Sequence, residues 1–483
     1  MAIWTNLARV TTVAMALGAF ACAGSMQIDA DKLAQLDLPT PTKALDRVHQ
    51  EIANRADGKL YAGAAMVDIT TDLARKDGIY IGGFDMGRKS KGVRDPVFAH
   101  ALFLDDGNTP FVLVTLDTIG YMNDDSKASR ARITDHHAEN VVIAAIHDHV
   151  GPDTIGYWGP ALGGVLPIAS GRVPEYMAAL EVLIAHAVDL AAQSAKPARL
   201  RFSQGPVDPS LSLNIHPQIR RQKDDVVRVM SVEGEDGSAI ATVANWGCHV
   251  EAMWNDDQIS ADWAGVFYDR IRKDVGGVPL LVMGALGGLV TIDPGDDKMA
   301  LEKEIMDVFL KHMSQAERVA LMHRVGNGFA DAVLAAAKTA PGPVGPLGVS
   351  LHLAHKAFDL PLKNWIFEYM GNRGMMKRTM KTSGSKAWMH TEMTALQFRH
   401  GTEVLADLAS VPGEPAPTLV QDLDATSDAP VKFTVALGND EVGYMVREAD
   451  WDLPQYEYER TMSLGKVTGS IVLKVMRELR DSL

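Results

Sequence analysis

The chain has 483 residues, 47% of them hydrophobic and 22% charged, so it can bury a large core. A net charge of -14 argues against a nucleic-acid partner, because phosphate binding needs a basic footprint. Two cysteines, Cys22 and Cys248, supply no disulfide framework, while 42 glycines and 23 prolines imply many turns.

The N-terminus "MAIWTNLARVTTVAMALGAFACAGS" carries one Arg, a short apolar stretch and then small residues. This pattern predicts a bacterial secretory signal over residues 1–22, too short to span a bilayer. Cys22 follows Ala19-Phe20-Ala21, so a lipoprotein signal is a second reading, and the expected location is the periplasm, the outer membrane or outside the cell. Residues 23–60 are polar and helix-like, an expected N-terminal arm. From 61 to 483 the pattern predicts one large α/β domain with a mixed sheet flanked by helices and a site at strand ends. "FVLVTLD" and "VVIAAIH" are continuous apolar runs of strand length, and "VPEYMAALEVLIAHAVDLAAQS" has helical periodicity. "AIATVANWGCHVEAMW" and "VPLLVMGALGG" read as buried strands running into loops, residues 299–340 as mostly helical, and "GEPAPTLVQDLDATSDAPV" as loop-rich.

"VVIAAIHDHVGP" ends an apolar run on His147-Asp148-His149 and then turns. On a strand, His147 and His149 share a face. Two imidazoles placed in this way suit zinc, but they are also ordinary polar residues at a strand end. His249, in "NWGCHVEAMW", is by itself a lone strand-end histidine. Asp117 and Asp262 are candidate carboxylates for orienting imidazoles, or equally strand-end caps. Cys248 reads as a buried small hydrophobe. "NWIFEYMGNRGMMKRTMKTSGSKAW", 364–388, is basic and Met-rich. Such a segment fits a membrane-surface contact over an acyl-chain pocket, or an amphipathic lid.

Several motifs occur together in one order: "YAGAAMVDIT", "FAHALFLDDG", "VTLDTIGY", "AAIHDHVGP", "NWGCHVEAM…ISADWAG", "VPGEP" and "LGNDEVGYMVREADWDLPQYEYERT". In this the chain resembles the catalytic domain of the neutral ceramidase family over roughly residues 61–478. The resemblance implies one zinc per chain, held by His147, His249, Glu414 and Tyr444. It places His149 and Tyr456 at the reacting centre, Tyr456 lying twelve residues after Tyr444. It implies zinc-dependent hydrolysis of the amide of an N-acylated lipid such as ceramide, giving a fatty acid and an amine. A zinc hydrolase of another small amide or ester, and a non-catalytic envelope binding lipoprotein, are the rival readings.

The chain also departs from that pattern. The family's Thr-His-Thr-His-Ser-Gly-Pro is here Ile146-His147-Asp148-His149-Val150-Gly151-Pro152. The Arg expected before a Ser-Leu segment is missing from "VDPSLSLNIHP", with Arg220 or Arg221 as substitutes. The polar Asn-Ala-Gly-Asn-type loop is the apolar "GALGGLV". The immunoglobulin-like C-terminal domain of many members is expected to be absent.

Overall fold

Two of the apolar runs of the sequence are strands covered on both faces. Every residue of Pro110–Leu116 and Val141–Ala145 is buried, which explains why neither alternates polar and apolar residues. In this computed structural model, residues 28–219, 221–295 and 313–483 are described; the expected signal at 1–22 and Arg220 lie outside them.

Among the described residues, eight strands form the larger sheet, in the spatial order Val278–Met283, Ala239–Trp246, Val226–Gly234, Lys196–Pro206, Tyr61–Asp68, Phe98–Asp105, Pro110–Leu116 and Val141–Ala145. The outermost pair on each side is parallel and the inner pairings are antiparallel. The sequence predicts one mixed sheet flanked by helices; the fold is mixed α/β, but it contains a second sheet of five strands. Val349–Leu362, Lys386–His400, Glu403–Ser410 and Lys432–Val435 run in that order, with Met380–Ser383 also paired to Lys386–His400. Leu102, Leu113, Leu200 and Val243 of the large sheet meet Leu351, Leu396, Phe398 and Phe433 of the second in one core. Antiparallel pairing with local alternation is easily read as part of a single sheet, so the sequence hides the division.

Helices cover both outer faces. Ala44–Arg55 and Pro174–Gln193 pack on one half of the large sheet. Asp262–Asp274 and Gln315–Lys338 pack on the other half. The last of these opens on a capping box between Ser314 and Glu317. Thr468–Arg480 and Pro417–Asp424 cover the second sheet. Helix, sheet, sheet and helix make four layers. The expected arm is partly absorbed into this arrangement, because Leu45, Val48 and Ile52 of Ala44–Arg55 are buried. The expected loop-rich stretch holds a helix that begins at Pro417, where proline is pre-set for the first helical turn.

Twist brings the two ends of the large sheet together. Its outer strands touch, and Asp148 bridges Val250 just beyond the strand ends. Residues 436–439 span the seam: Ala436 N–H donates to Met283 O at 2.8 Å, and Asn439 N–H donates to Ile143 O at 2.6 Å. Segments distant in the chain therefore meet where the sheet closes. No described helix is long and apolar enough to cross a membrane.

Candidate metal centre

The strand Val141–Ala145 ends two residues before His147, which adopts a left-handed backbone (φ 59°). The sequence reading put both histidines on one strand face; they converge because of this turn instead. A histidine held at positive φ is uncommon and has to be fixed by its surroundings. His147 Nδ1 lies 2.8 Å from Ile119 O. On the other side of the seam, His249 follows the strand Ala239–Trp246, and its Nδ1 lies 2.8 Å from Val290 O. Trp246 stacks on Phe329 at 5.1 Å, and Trp263 Nε1–H donates to His249 O at 3.0 Å, so aromatic packing holds this strand end.

A carbonyl oxygen only accepts, so each Nδ1 carries the proton and each Nε2 presents a lone pair. Both lone pairs face one carboxylate oxygen: Glu414 Oε2 is 3.4 Å from His147 Nε2 and 3.4 Å from His249 Nε2. Glu414 sits on the short strand Glu414–Pro415, paired in parallel with Tyr444–Met445 and in register with Tyr444. The Tyr444 hydroxyl hydrogen-bonds the Glu414 carboxyl. Gly287 of the apolar "GALGGLV" loop lets this strand approach, since a Cβ there would lie 2.3 Å from Glu414 O. The third imidazole, His149, completes a triangle with ring centroids 4.8 Å from His147 and 5.4 Å from His249.

Two sets of ligand atoms lie within 4.8 Å of one another: His147 with His149 and His249, and His147 with Glu414 and Glu441. The Glu441 carboxyl accepts from Gly443 N–H at 2.8 Å through one oxygen only. Glu414 Oε2, Glu441 Oε2, His249 Nε2 and both ring nitrogens of His149 are buried without a hydrogen-bond partner. Burial pushes Glu414 up to about 8, and burial together with the neighbouring Glu414 pushes Glu441 well above the carboxylate range. Burial, then the adjacent imidazoles, holds His147 and His149 well below the usual histidine range. Two imidazole lone pairs converging on one buried carboxylate, with a second carboxylate that resists ionisation alone beside it, are what a bound cation would satisfy. Imidazole and carboxylate donors fit a zinc-type ion.

No protein-family model and no curated protein sequence matches the chain. Among solved structures, neutral ceramidase from Pseudomonas aeruginosa matches with a TM-score of 0.66 at 16% identity, over 88% of this chain and 74% of that one. The chain has the neutral ceramidase fold. A structure described as a ceramidase complexed with C2 matches equally, with a TM-score of 0.66 at 16% identity over 88% of this chain and 76% of that one.

Within the neutral ceramidase fold, His147, His149, His249, Glu414 and Tyr444 of the sequence reading come together. Tyr456 does not join them: its phenol is turned to Thr418 and Asp450, and burial pushes it up to about 12. Tyr456 ends a 3-10 turn ahead of the helix Glu457–Thr461, and two helical positions differ by about 200° in direction. Tyr458 therefore points the opposite way. Tyr458 is partly exposed, its ring lies 6.0 Å from that of Tyr444, and burial followed by the charges of Tyr157 and Glu414 raises its phenol.

The expected orienting carboxylates have other work. Asp117 accepts from Tyr268 Oη at 2.8 Å and from Phe98 N–H at 2.8 Å, and Asp262 accepts from Met253 N–H at 2.7 Å. Backbone carbonyls take their place at His147 and His249. Arg221 is exposed. Cys248 is a buried free thiol. Glu251 and Glu441, which the sequence reading left unassigned, bring the buried carboxylates at the centre to three.

Proposed function

We propose that the protein is a zinc-dependent amidohydrolase that cleaves an N-acylated lipid to a fatty acid and an amine, with a ceramide-like amide as the substrate class. The observation that carries this reading is the convergence of two proton-free Nε2 atoms on Glu414 Oε2, each 3.4 Å away. His147, His249 and Glu414 would hold the ion, with Tyr444 beside Glu414 as the fourth donor. Zinc bound there supplies a water activated near neutral pH and an electrophile for the amide carbonyl.

The chain's own residues do the rest. His149 stands outside the proposed ligand set, and its Nε2 first takes a proton from the attacking water and then gives it to the departing amine nitrogen. Tyr458 Oη–H faces the same space and donates to the carbonyl oxygen as negative charge develops on it. Tyr458 takes this role in place of the Tyr456 of the sequence reading because its ring lies 6.0 Å from that of Tyr444. Met370, Met375 and Met376 pack on Ile119, Met122, Ile155 and Trp158, and the carbonyl of Ile119 meets His147 Nδ1. Adaptable apolar side chains of this kind suit an acyl chain.

The test joins metal analysis of the purified protein to fatty-acid release from N-acyl lipids. About one zinc per chain is expected from a four-donor site, and His147→Ala and His249→Ala should each lose metal and hydrolysis together. Full metal occupancy in both variants would refute the assignment.

A further inference from the structure

Glu251 lies two residues beyond His249 and has no part in the ligand set described above. It is 7% exposed, and Thr291, at 4%, donates its hydroxyl to Glu251 Oε1. The other carboxylate oxygen, Oε2, is 3.3 Å from His149 Nδ1. The remaining grip on His149 is apolar or made through its backbone. Phe84 meets the ring edge-on at 4.9 Å, Arg88 Nη2–H donates to His149 O at 2.9 Å, and His149 N–H donates to Val250 O at 3.0 Å. Gly83 leaves room for the ring, since a Cβ there would lie 2.7 Å from His149 Cβ.

The three imidazoles of the centre thus fall into two kinds. His147 and His249 rest their Nδ1 atoms on backbone carbonyls, which fixes them as neutral donors of an Nε2 lone pair. His149 has a carboxylate at Nδ1 instead. We infer that Glu251, held by Thr291, is a positioning residue for His149: it keeps the proton on Nδ1 and aims Nε2 at the reacting amide. The inference rests on the amidohydrolase reading for its catalytic meaning, but the tautomer of His149 is a property of this chain alone. At 3.3 Å the ring nitrogen and the carboxylate approach closely without an aligned hydrogen bond, and such contacts tighten when an active site fills.

The experiment uses the zinc-loaded full chain with 15N-labelled histidine. His149→Ala assigns the His149 resonances, and the wild type should show the Nδ1–H tautomer at that ring. Glu251→Gln accepts or donates at Nδ1 without preference, so it should give a mixture of tautomers; Thr291→Val should shift the ratio in the same direction by less. Zinc content should not change in either variant. With an N-acyl amide substrate, Glu251→Gln should lower kcat by about 10- to 100-fold, the usual range for loss of an orienting partner, with KM nearly constant. Added to His149→Ala it should cost nothing further, because the two act as one unit. Zinc loss in Glu251→Gln would make Glu251 a ligand and overturn the inference. An unchanged tautomer, or a full additive loss in the double variant, would also overturn it. If the wild type cleaves no amide offered, the proposed function fails, while the tautomer measurement still decides the role of Glu251.

Discussion

On the proposed function, Tyr458 is a donor to the reaction and Tyr456 a residue of the scaffold. Removing the Tyr458 hydroxyl takes away a hydrogen bond that strengthens only as the carbonyl oxygen becomes anionic. Tyr458→Phe should keep its zinc and lose roughly 10²-fold in kcat. Tyr456→Phe should stay within a few-fold of the wild type. Steady-state kinetics beside metal analysis checks both, and the reverse ranking would return the donor role to Tyr456. The pair also shows what the sequence makes legible. His147 and His249 are marked by strand ends, Glu414 and Tyr444 follow only from the resemblance to the neutral ceramidase family, and the fold brings the four together. Choosing between two tyrosines in "QYEYE" needs the helical phase at Glu457, which spacing does not carry. Glu251 left no signal, because its partners Thr291 and His149 lie 40 residues or more away in the chain.

At the scale of elements, the segment 364–388 changes meaning once it is folded. Its helix Trp365–Asn372 buries Phe367 and Met370. Its cations are largely spent inside the molecule: Lys377 pairs with Asp125 and Glu181, Lys381 with Asp359, and Arg378 with Asp440. Arg378 and Asp440 are both buried, and Arg378 also reaches Glu441 O at 3.5 Å. One guanidinium therefore fastens the methionine-rich cover to the loop that leads into Tyr444. Arg378→Met leaves the Asp440 carboxyl buried without its partner, which should cost about 3–5 kcal/mol. Thermal unfolding should show a clear fall in Tm and, because the Tyr444 loop is released, weaker zinc retention during dialysis. An unchanged Tm would mean that apolar packing alone holds the cover. The strands and the long helices were legible as apolar runs and periodicities. The clamp was not, because nothing local relates Arg378 to Asp440.

At the scale of the whole molecule, the two sheets share a buried charge cluster. Arg130, on the helix Asn123–Ile133, pairs with Glu392 of the second sheet, and His355 Nε2 approaches the same carboxylate at 3.4 Å. Burial works against ionisation of Glu392, but the His355 hydrogen bond and the Arg130 charge outweigh it and hold the carboxyl at about 2 against an ordinary value of 4.5. A depressed pKa stabilises the fold above the unfolded value and loses that effect as pH falls through the folded one. Stability should therefore decline between about pH 5 and pH 2, by at most about 3 kcal/mol from this group. Glu392→Gln should be less stable at neutral pH and show a flatter decline in denaturant midpoint over the same range. An equally steep decline in the variant would place the acid sensitivity elsewhere. The division into two sheets, which this cluster bridges, was the main feature of the architecture not legible in the sequence, since long-range pairing leaves no local period.

The seam at residues 436–439 has a consequence for how the chain is made. Val141–Ala145 and Val278–Met283 each present an outer edge, and the backbone that meets both edges comes from near the C-terminus. During synthesis, roughly 150 residues must emerge after Met283 before Asn439 arrives, a delay of about 10 to 30 s at ordinary elongation rates. Over that interval the nascent sheet exposes unpaired N–H and C=O groups on two apolar strands, a template for wrong partners. A message truncated ahead of Lys432 should accordingly yield aggregate, and the intact protein should depend on ribosome-associated chaperones more than its finished stability would suggest.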